Sequence, residues 1–370
     1  MAELTGSILA PEGWVSGRVT FDARIAGLEG EPVAAPRPPF VLPGFVDLHV
    51  HGGGGADMMA GAAAIRTAAM LHARHGTTSL LATSVTAPVE ETAAFLAAVA
   101  EAAAADWPDA ACVLGAHLEG PFINPDKLGA QPPHARPADP ALLRKWTALA
   151  PVRVVTFAPE CDPGGALRAA IQAAGARAQI GHSLCSYAEA HHAIACGCGV
   201  THLFNAMTGL AHRANGIAGA ALAHAGFAEI IPDLIHVEPG AILAARRAIP
   251  NLYGVTDATA SAGMPDGSGY RLGGHVVTKR DGSVRLADGT LAGSALTMDQ
   301  ALRNLVAIGL PLAEAARRLS TIPARWIGAL DIGTIRPGAR ADLVVLDDAL
   351  AVREVVIAGR SLSAVAEKEG

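Results

Sequence analysis

Aromatic residues are scarce in this chain, and charged residues are few. Only 4% of its 370 residues are aromatic and 17% are charged, whereas 51% are hydrophobic. The sequence has no basic stripe and no run of like charges, and its net charge is −6. These absences argue against nucleic acid as a partner. A small anionic substrate remains compatible with them, because it needs only one or two local cations.

The sequence also lacks a disulfide framework and a long hydrophobic run. Its five cysteines are odd in number, and Cys196-Gly-Cys198 has no second pair with which to close a zinc site. Residues 1–5 lack the basic and apolar regions of a signal peptide. The most apolar helical stretch, near residues 95–105, is interrupted by Glu101, short of the ~18 residues that span a bilayer. We therefore expect a cytoplasmic protein that does not bind membranes.

Both ends of the chain have a β character. Residues 17–21 near the start, and 342–346 and 352–357 near the end, are apolar or alternating runs of strand length. A proline-rich connector at residues 36–39 follows the first of them. The two termini are therefore expected to form one small β-sandwich.

The middle of the chain alternates between strand and helix patterns. Ala-rich helical patterns such as 62–75, which is followed by Gly76, separate most of the apolar segments. The candidate strands are residues 45–49, 78–82, 113–118, 152–157, 178–182, 200–204, 234–237 and 252–257. Eight strands alternating with helices predict an α/β protein with a (β/α)8 TIM barrel. The expected domains are residues 1–40 and 331–370 for the sandwich and 41–330 for the barrel.

Three of the candidate strands end at residues of the types that commonly bind metals. The third ends at Glu119, the fifth at His182 and the sixth at His202. In a barrel of this kind, functional side chains lie at the carboxyl ends of the strands. One carboxylate and two imidazoles are a common protein set for a catalytic divalent metal. The sequence thus predicts a metal site at this end of the barrel.

The first and eighth strands add to this set. Strand one ends in His49-Val-His51, and residues two apart point to the same face of a strand, so both histidines can share one ion. Strand eight ends at Asp257, a carboxylate that can take the proton of an attacking water and pass it to a leaving nitrogen. An alternative function for Asp257 is to cap the next helix.

These residues lie in stretches that resemble the amidohydrolase superfamily and, more closely, its N-acetylglucosamine-6-phosphate deacetylases. The resemblance runs in order from about residue 41 to 330 and is followed by Gly338-Ala-Arg-Ala-Asp-Leu-Val344. As an ordered set the motifs are highly specific. They are Pro43-Gly-Phe-Val-Asp-Leu-His-Val-His-Gly52, His117-Leu-Glu-Gly-Pro-Phe122, Gly181-His-Ser183, Thr201-His-Leu-Phe-Asn-Ala-Met207, Val255-Thr-Asp-Ala258 and Leu291-Ala-Gly-Ser-Ala-Leu-Thr-Met298.

The resemblance implies an enzyme that hydrolyses the N-acetyl group of a 6-phosphorylated amino sugar and releases acetate, in amino-sugar catabolism. It implies Glu119, His182 and His202 as the main metal ligands and Asp257 as the general acid and base. It also implies that Arg213 and His236 hold the 6-phosphate, with this contact shared across a homodimer interface. The other implied substrate contacts are Ala130, Gln131, Asn205, Ala206, Leu291, Ala292 and Gly293.

Two features of the implied site stay open. His49 and His51 allow a second ion, so we expect one or two divalent ions per subunit; zinc is the first expectation, with iron, manganese and cobalt as alternatives. Many relatives carry a histidine where this chain has Gln131, which can hydrogen-bond but carries no charge. This departure leaves the sugar open, and a deacetylase of N-acetylgalactosamine 6-phosphate is the alternative.

Two other functions fit the sequence less well. A cyclic-amide hydrolase would use a carboxylated lysine to bridge two metals, but strand three carries Glu119 and strand four, residues 152–157, has no lysine at its end. A non-enzymatic scaffold that retains the barrel would be expected to have lost metal ligands, and here the set is complete.

Overall fold

The computed structural model describes residues 1–363. The strands are β1 (Ala2–Ala10), β2 (Gly13–Phe21), β3 (Ile25–Pro32), β4 (Phe40–Pro43), β5 (Phe45–Val50), β6 (Gly52–Gly53), β7 (Ala56–Asp57), β8 (Thr77–Ser84), β9 (Cys112–Glu119), β10 (Val152–Phe157), β11 (Arg177–Ile180), β12 (Gly199–Val200), β13 (Phe227–Ile230), β14 (Asn251–Gly254), β15 (Gly267–Leu272), β16 (His275–Arg280), β17 (Ser283–Arg285), β18 (Leu291–Ser294), β19 (Leu343–Leu346), β20 (Val352–Ile357) and β21 (Arg360–Ser363). The helices are α1 (Ala62–Arg74), α2 (Val89–Ala104), α3 (Pro140–Thr147), α4 (Ala166–Ala173), α5 (Tyr187–Ala195), α6 (Gly216–His224), α7 (Pro239–Ala248), α8 (Met298–Ala307), α9 (Leu312–Leu319) and α10 (Thr321–Trp326). None of these helices in the described chain is both long and apolar enough to cross a bilayer.

An eight-stranded parallel sheet forms the centre of the molecule. Its strands follow the order β5, β8, β9, β10, β11, β12, β13 and β14. The sheet closes where the segment after β14 returns to β5. There the Asp257 backbone N–H donates to the His49 carbonyl at 2.9 Å, and the His51 N–H donates to the Ala258 carbonyl at 2.8 Å. The expected (β/α)8 barrel is confirmed, and its closure brings the first and eighth strand ends together.

The predicted seventh strand was wrong. Residues 234–237 lie in a loop, and the strand is β13, several residues earlier. Leu234 has a φ of 64°, which a strand residue does not adopt. The Asp233 side chain also accepts the backbone N–H of Ile235 at 2.9 Å, which forms an Asx turn, and that of His236 at 2.8 Å. His236 therefore follows the strand in a loop instead of ending it.

Both chain termini join in a second sheet. Its seven strands follow the order β21, β20, β19, β4, β1, β2 and β3. Ile8, Val19, Val41, Leu343 and Val356 are fully buried on one side of it. The strand β4 crosses the expected boundary at residue 40 and belongs to this sheet. The pairing of the two ends agrees with expectation, and the exact domain limits stay a prediction.

A four-stranded antiparallel sheet, β15 to β18, lies above the barrel and was not predicted. We call residues 267–294 the flap. Its apolar side buries Val277, Val284 and Ala292 together with Val85, which follows the second barrel strand. The flap is thereby fixed beside the carboxyl ends of the barrel strands.

A buried histidine of α1 makes the stability of this fold dependent on pH. The His72 Nε2 lies 2.9 Å from the Gly52 carbonyl, and burial lowers the pKa of His72 from 6.5 to about 4. The unfolded chain takes up this proton near pH 6.5 but the folded chain does not, so the stability present above pH 6.5 is lost as the pH falls towards 4. The variant His72→Gln retains a donor and cannot titrate.

We therefore expect wild type to lose more stability than His72→Gln between pH 7 and pH 4, by up to ~3 kcal/mol. Urea unfolding of both proteins at several pH values measures the two slopes. Equal slopes would contradict the assignment, whatever the stability of the variant at pH 7.

Candidate metal centre

The Glu119 carboxylate lies at the centre of a cluster of imidazoles. It ends β9 and is only 2% exposed. Its Oε1 lies 2.9 Å from His202 Nε2, 3.1 Å from His182 Nε2 and 3.4 Å from His49 Nε2, and its Oε2 lies 3.3 Å from His51 Nε2. Two groups of metal-ligand atoms therefore share Glu119: one includes His49 and His51, and the other includes His182 and His202.

The backbone that presents these residues is strained. His182, His202 and Asp257 have φ values of 48°, 24° and 51°, in the left-handed region that side chains other than glycine rarely adopt. Each lies just beyond its barrel strand, where the chain turns into a loop. Strain of this kind clusters at functional sites, where the surrounding structure over-determines the conformation.

The ring nitrogens face one another as well as the carboxylate. His49 Nε2 lies 3.2 Å from His51 Nε2, and His182 Nε2 lies 3.1 Å from His202 Nε2. Lone pairs at such distances repel unless a proton or a cation lies between them. A divalent cation would satisfy both imidazole pairs and Glu119 together. The donor set therefore fits a divalent metal.

Only two of the four imidazole rings form a hydrogen bond through Nδ1, the nitrogen that does not face Glu119. The His49 Nδ1 lies 3.0 Å from Glu229 Oε2, and the His182 Nδ1 donates to the Lys127 carbonyl at 2.8 Å. Within residues 1–363, the Nδ1 atoms of His51 and His202 have no hydrogen-bond partner. Each imidazole pair thus contains one ring that is oriented by a hydrogen bond at Nδ1 and one ring that is not.

His117 lies beneath the cluster as a hydrogen-bonded neighbour. Its ring contacts His49 edge-on, with centroids 4.5 Å apart. Its Nδ1 lies 2.9 Å from the Leu48 carbonyl and its Nε2 lies 2.8 Å from the Thr156 hydroxyl. Both nitrogens are therefore occupied, and burial lowers the pKa of His117 to about 4. His117 packs the ligands from below and has no free nitrogen for an ion.

Asp257 faces the His49–His51 pair. Its Oδ1 lies 3.2 Å from His51 Nε2 and 3.5 Å from His49 Nε2. Burial opposes its ionisation, but the charge of His49 and the hydrogen bond from His51 lower the pKa of Asp257 to about 2. Burial lowers the pKa of His51, but hydrogen bonds to Asp257 and Glu119 and the charges of both carboxylates outweigh it and raise that pKa to about 9. Asp257 is thus an ionised carboxylate.

A cavity of about 200 Å³ opens on this cluster. Its wall includes most of the expected substrate contacts and two flap residues that were not expected. Besides the cluster residues His51, Glu119, His182, His202 and Asp257, the lining consists of Gly129, Ala130, Gln131, Asn205, Ala206, His236, Leu272, Thr290, Leu291 and Gly293. The barrel ends and the flap together enclose the space in which a substrate would meet the ligands.

Gln131 reaches the cluster itself. Its amide nitrogen donates to Glu119 Oε2, and its carbonyl oxygen accepts the Thr86 backbone N–H at 2.6 Å. The side chain is therefore held at both ends and is only 7% exposed. Gln131 contacts the carboxylate that joins the two imidazole pairs, in addition to lining the cavity.

Two expected contacts lie away from the cavity wall. Ala292 is fully buried in the apolar side of the flap. Arg213 is exposed in the loop after β12, where Ala211 and Ala214 pair across a tight turn. Neither is among the residues that line the cavity of the same chain. An Arg213 contact with substrate would therefore have to come from another copy or from a movement of this loop.

His236 lines the cavity from the loop after β13. Its Nδ1 lies 2.6 Å from Asp233 Oδ2. Burial opposes protonation of the ring, but the hydrogen bond and charge of Asp233 raise the pKa of His236 above its ordinary value of 6.5. The ring is thus favoured as a cation, which suits an anionic group of a substrate.

Two supporting carboxylates were missed by the sequence reasoning. Glu160 accepts hydrogen bonds from the Ser183 hydroxyl and the Leu184 N–H, both at 2.6 Å, and so fixes the loop after His182. Glu229 lies inside the barrel behind His49. A signal existed for Glu229 only, because a charged residue within an apolar strand requires a buried partner.

The profile of the amidohydrolase family matches residues 40–362. An N-acetylgalactosamine-6-phosphate deacetylase of Escherichia coli O157:H7 is 38% identical over 371 residues, which cover 96% of this chain and 97% of the relative. An N-acetylglucosamine-6-phosphate deacetylase of Bacillus subtilis (strain 168) is 37% identical over 331 residues, 85% of this chain and 82% of the relative.

Two solved structures of deacetylases resemble this chain over almost its whole length. A mutant N-acetyl-D-glucosamine-6-phosphate deacetylase from Mycobacterium smegmatis, in complex with N-acetyl-D-glucosamine-6-phosphate, has a TM-score of 0.88 and 35% identity, over 97% of this chain and 98% of that one. The N-acetylglucosamine-6-phosphate deacetylase from Thermotoga maritima has a TM-score of 0.89 and 31% identity, over 97% and 99% of the two chains.

The central place of Glu119 predicts that its charge is required for metal binding. We expect Glu119→Gln to retain at least about tenfold less divalent metal than wild type, since outer-sphere changes alone cost about 10–100-fold in affinity. Elemental analysis by mass spectrometry after dialysis measures this. Glu160→Gln is the matched control, because Glu160 supports the loop after His182 and contacts none of the four ring nitrogens. Equal metal in Glu119→Gln and wild type would show that Glu119 is not a ligand.

Proposed function

The chain belongs to the amidohydrolase family, and we propose that it is a metal-dependent deacetylase of N-acetylglucosamine 6-phosphate, which it hydrolyses to glucosamine 6-phosphate and acetate. The observation that carries the proposal is the Glu119–histidine cluster, open to a cavity that Asp257 and His236 also line. The names of the relatives supply the substrate class.

Glu119, His182 and His202 would hold one divalent ion, and His49 and His51 offer a second place beside Glu119 and Asp257. When bound, such an ion polarises the acetamide carbonyl and lowers the pKa of water towards ~7. We propose zinc, with iron, manganese or cobalt as substitutes, since a mixed carboxylate and imidazole set accepts all four. Two ions are favoured, because both imidazole pairs have the same facing arrangement.

Asp257 is the proposed general base and acid. Its carboxylate is ionised and lines the cavity next to the ligand atoms, so it can accept the proton of an attacking water. The same oxygen would then protonate the departing amine. The backbone at Asp257 is bonded to His49 and so is fixed by the barrel closure.

The phosphate end of the cavity is assigned to His236 and to Arg213 of a second copy. His236 lines the cavity and is favoured as a cation. Arg213 is exposed and absent from the wall of its own cavity. Leu184, Leu210 and Ile235, in the loops after β11, β12 and β13, are 41%, 56% and 39% exposed. These exposed apolar side chains lie in the same set of loops as Arg213 and His236. They support a homodimer in which Arg213 of one copy reaches the cavity of its partner.

The sugar epimer and the compartment belong to the same proposal. Relatives named for the gluco and for the galacto substrate are similarly identical in sequence to this chain, so N-acetylgalactosamine 6-phosphate is the alternative substrate.

All five cysteines are free, which supports a reducing, cytoplasmic compartment.

The role of Asp257 predicts a loss of rate without a loss of metal. Asp257→Asn retains the shape of the side chain but cannot take a proton, so kcat for acetate release is expected to fall by about 10²–10⁴. KM should change little, and elemental analysis should find the metal still bound. An Asp257→Asn enzyme with the kcat of wild type would rule out this role.

The phosphate assignment predicts a preference that depends on Arg213. Wild type should release acetate fastest from the 6-phosphates in a panel of phosphorylated and unphosphorylated N-acetyl hexosamines of both epimers. Arg213→Ala should raise KM for the phosphorylated sugars by about 10–100-fold, the value of a charge-assisted hydrogen bond, and leave the others unchanged. Arg247→Ala, at an exposed position of α7, is the control. A preference that survives Arg213→Ala would overturn the assignment.

A further inference from the structure

Glu229 is a buried carboxylate with no part in the proposed reaction. It belongs to β13, is 0% exposed and points into the barrel beneath the metal centre. Its Oε2 lies 3.0 Å from His49 Nδ1 and accepts the His202 backbone N–H at 3.2 Å. Its Oε1 accepts the Gln179 amide at 2.9 Å and lies 3.3 Å from the Tyr253 hydroxyl, which donates to Gln179 Oε1 at 2.7 Å.

A barrel interior is ordinarily filled by branched apolar side chains. Removing a carboxylate from water costs several kcal/mol before its partners compensate. Glu229 accepts from three donors, and two of them belong to His49 and His202, one residue from each imidazole pair. Packing alone does not require a charge at this position.

The contact with His49 determines where that ring keeps its proton. When Nδ1–H is donated to Glu229, the lone pair of His49 remains on Nε2, which faces Glu119 Oε1 at 3.4 Å and His51 Nε2 at 3.2 Å. The second nitrogen of His51 has no partner within the described residues. Glu229 is thus the one described side chain that orients either ring of the first-strand pair through its Nδ1.

We propose that Glu229 is a positioning residue for His49, and that the first-strand half of the centre retains its ion only while position 229 carries a carboxylate. The inference rests on the proposed function, because it assumes that His49 and His51 hold an ion. An amide at this position has one accepting oxygen and an NH₂ group, so it cannot accept from His49 and His202 on one side and from Gln179 on the other at the same time.

The test compares Glu229→Gln with wild type by titrating the metal-free proteins with Co²⁺ and counting bound ions by elemental analysis. Wild type should bind two ions per chain. The variant should retain one at wild-type affinity and bind the other about 10–100-fold more weakly. At limiting metal, kcat should fall while KM for the sugar phosphate changes less than about twofold, since the phosphate end is untouched.

Two further variants make the outcome decisive. His51→Ala removes a ligand of the same half, so adding Glu229→Gln to it should cause no further loss of metal. Asp342→Asn neutralises another acid that is 1% exposed and is held by Arg340 and the Ala358 N–H, away from the centre. It should lower the Tm and retain both ions.

The inference would be overturned if Glu229→Gln bound two ions at wild-type affinity. It would also be overturned if the variant lost the ion at His182 and His202 and kept the ion at His49 and His51. Equal loss of metal in Asp342→Asn would also overturn it, since the effect would then follow from stability alone. Failure of the proposed function would be seen separately, as wild type that releases no acetate from either 6-phosphate. Wild type that binds only one ion would refute both the second ion and the role of Glu229.

Discussion

The site depends on the burial of one carboxylate, Glu119, among four imidazole nitrogens. All four Nε2 atoms lie within 2.9–3.4 Å of its two oxygens, and the side chain is almost inaccessible to water. A buried anion surrounded by facing lone pairs is unstable unless positive charge joins them. This constraint makes the cluster able to hold a cation, at the point where three barrel strand ends and the closure of the first and eighth strands converge.

The barrel supports this arrangement from below with polar side chains. Gln179 donates to Glu229 and to the Thr201 hydroxyl, which lies 2.7 Å from the Thr156 hydroxyl. From the other end, the Trp326 indole N–H donates to Gln179 at 2.7 Å. These contacts connect the floor of the barrel to the rings that would bind the metal. The flap and the loops after β11 to β13 then add much of the cavity wall.

Much of this could be predicted from sequence, and the errors have physical causes. The ends of the first, third, fifth and sixth strands were readable because each joins an apolar run to a metal-binding residue. The seventh strand was misplaced because Glu229 interrupts the short run Phe227–Ile230, whereas residues 234–237 are apolar but turn around Asp233. The flap was missed because its strands alternate weakly between glycines and exposed polar residues. The absence of Arg213 from the cavity wall could not be predicted, since this residue lies in an exposed loop whose path the sequence does not determine.

The most direct test of the account is a crystal structure of the metal-loaded enzyme, with anomalous maps recorded on both sides of the absorption edge of the bound metal. The account predicts a peak about 2.0–2.2 Å from a Glu119 oxygen and from the Nε2 atoms of His182 and His202. It also predicts a second peak between Glu119, His49 and His51. A fully loaded, active enzyme whose only ion lies outside the reach of Glu119 would contradict it.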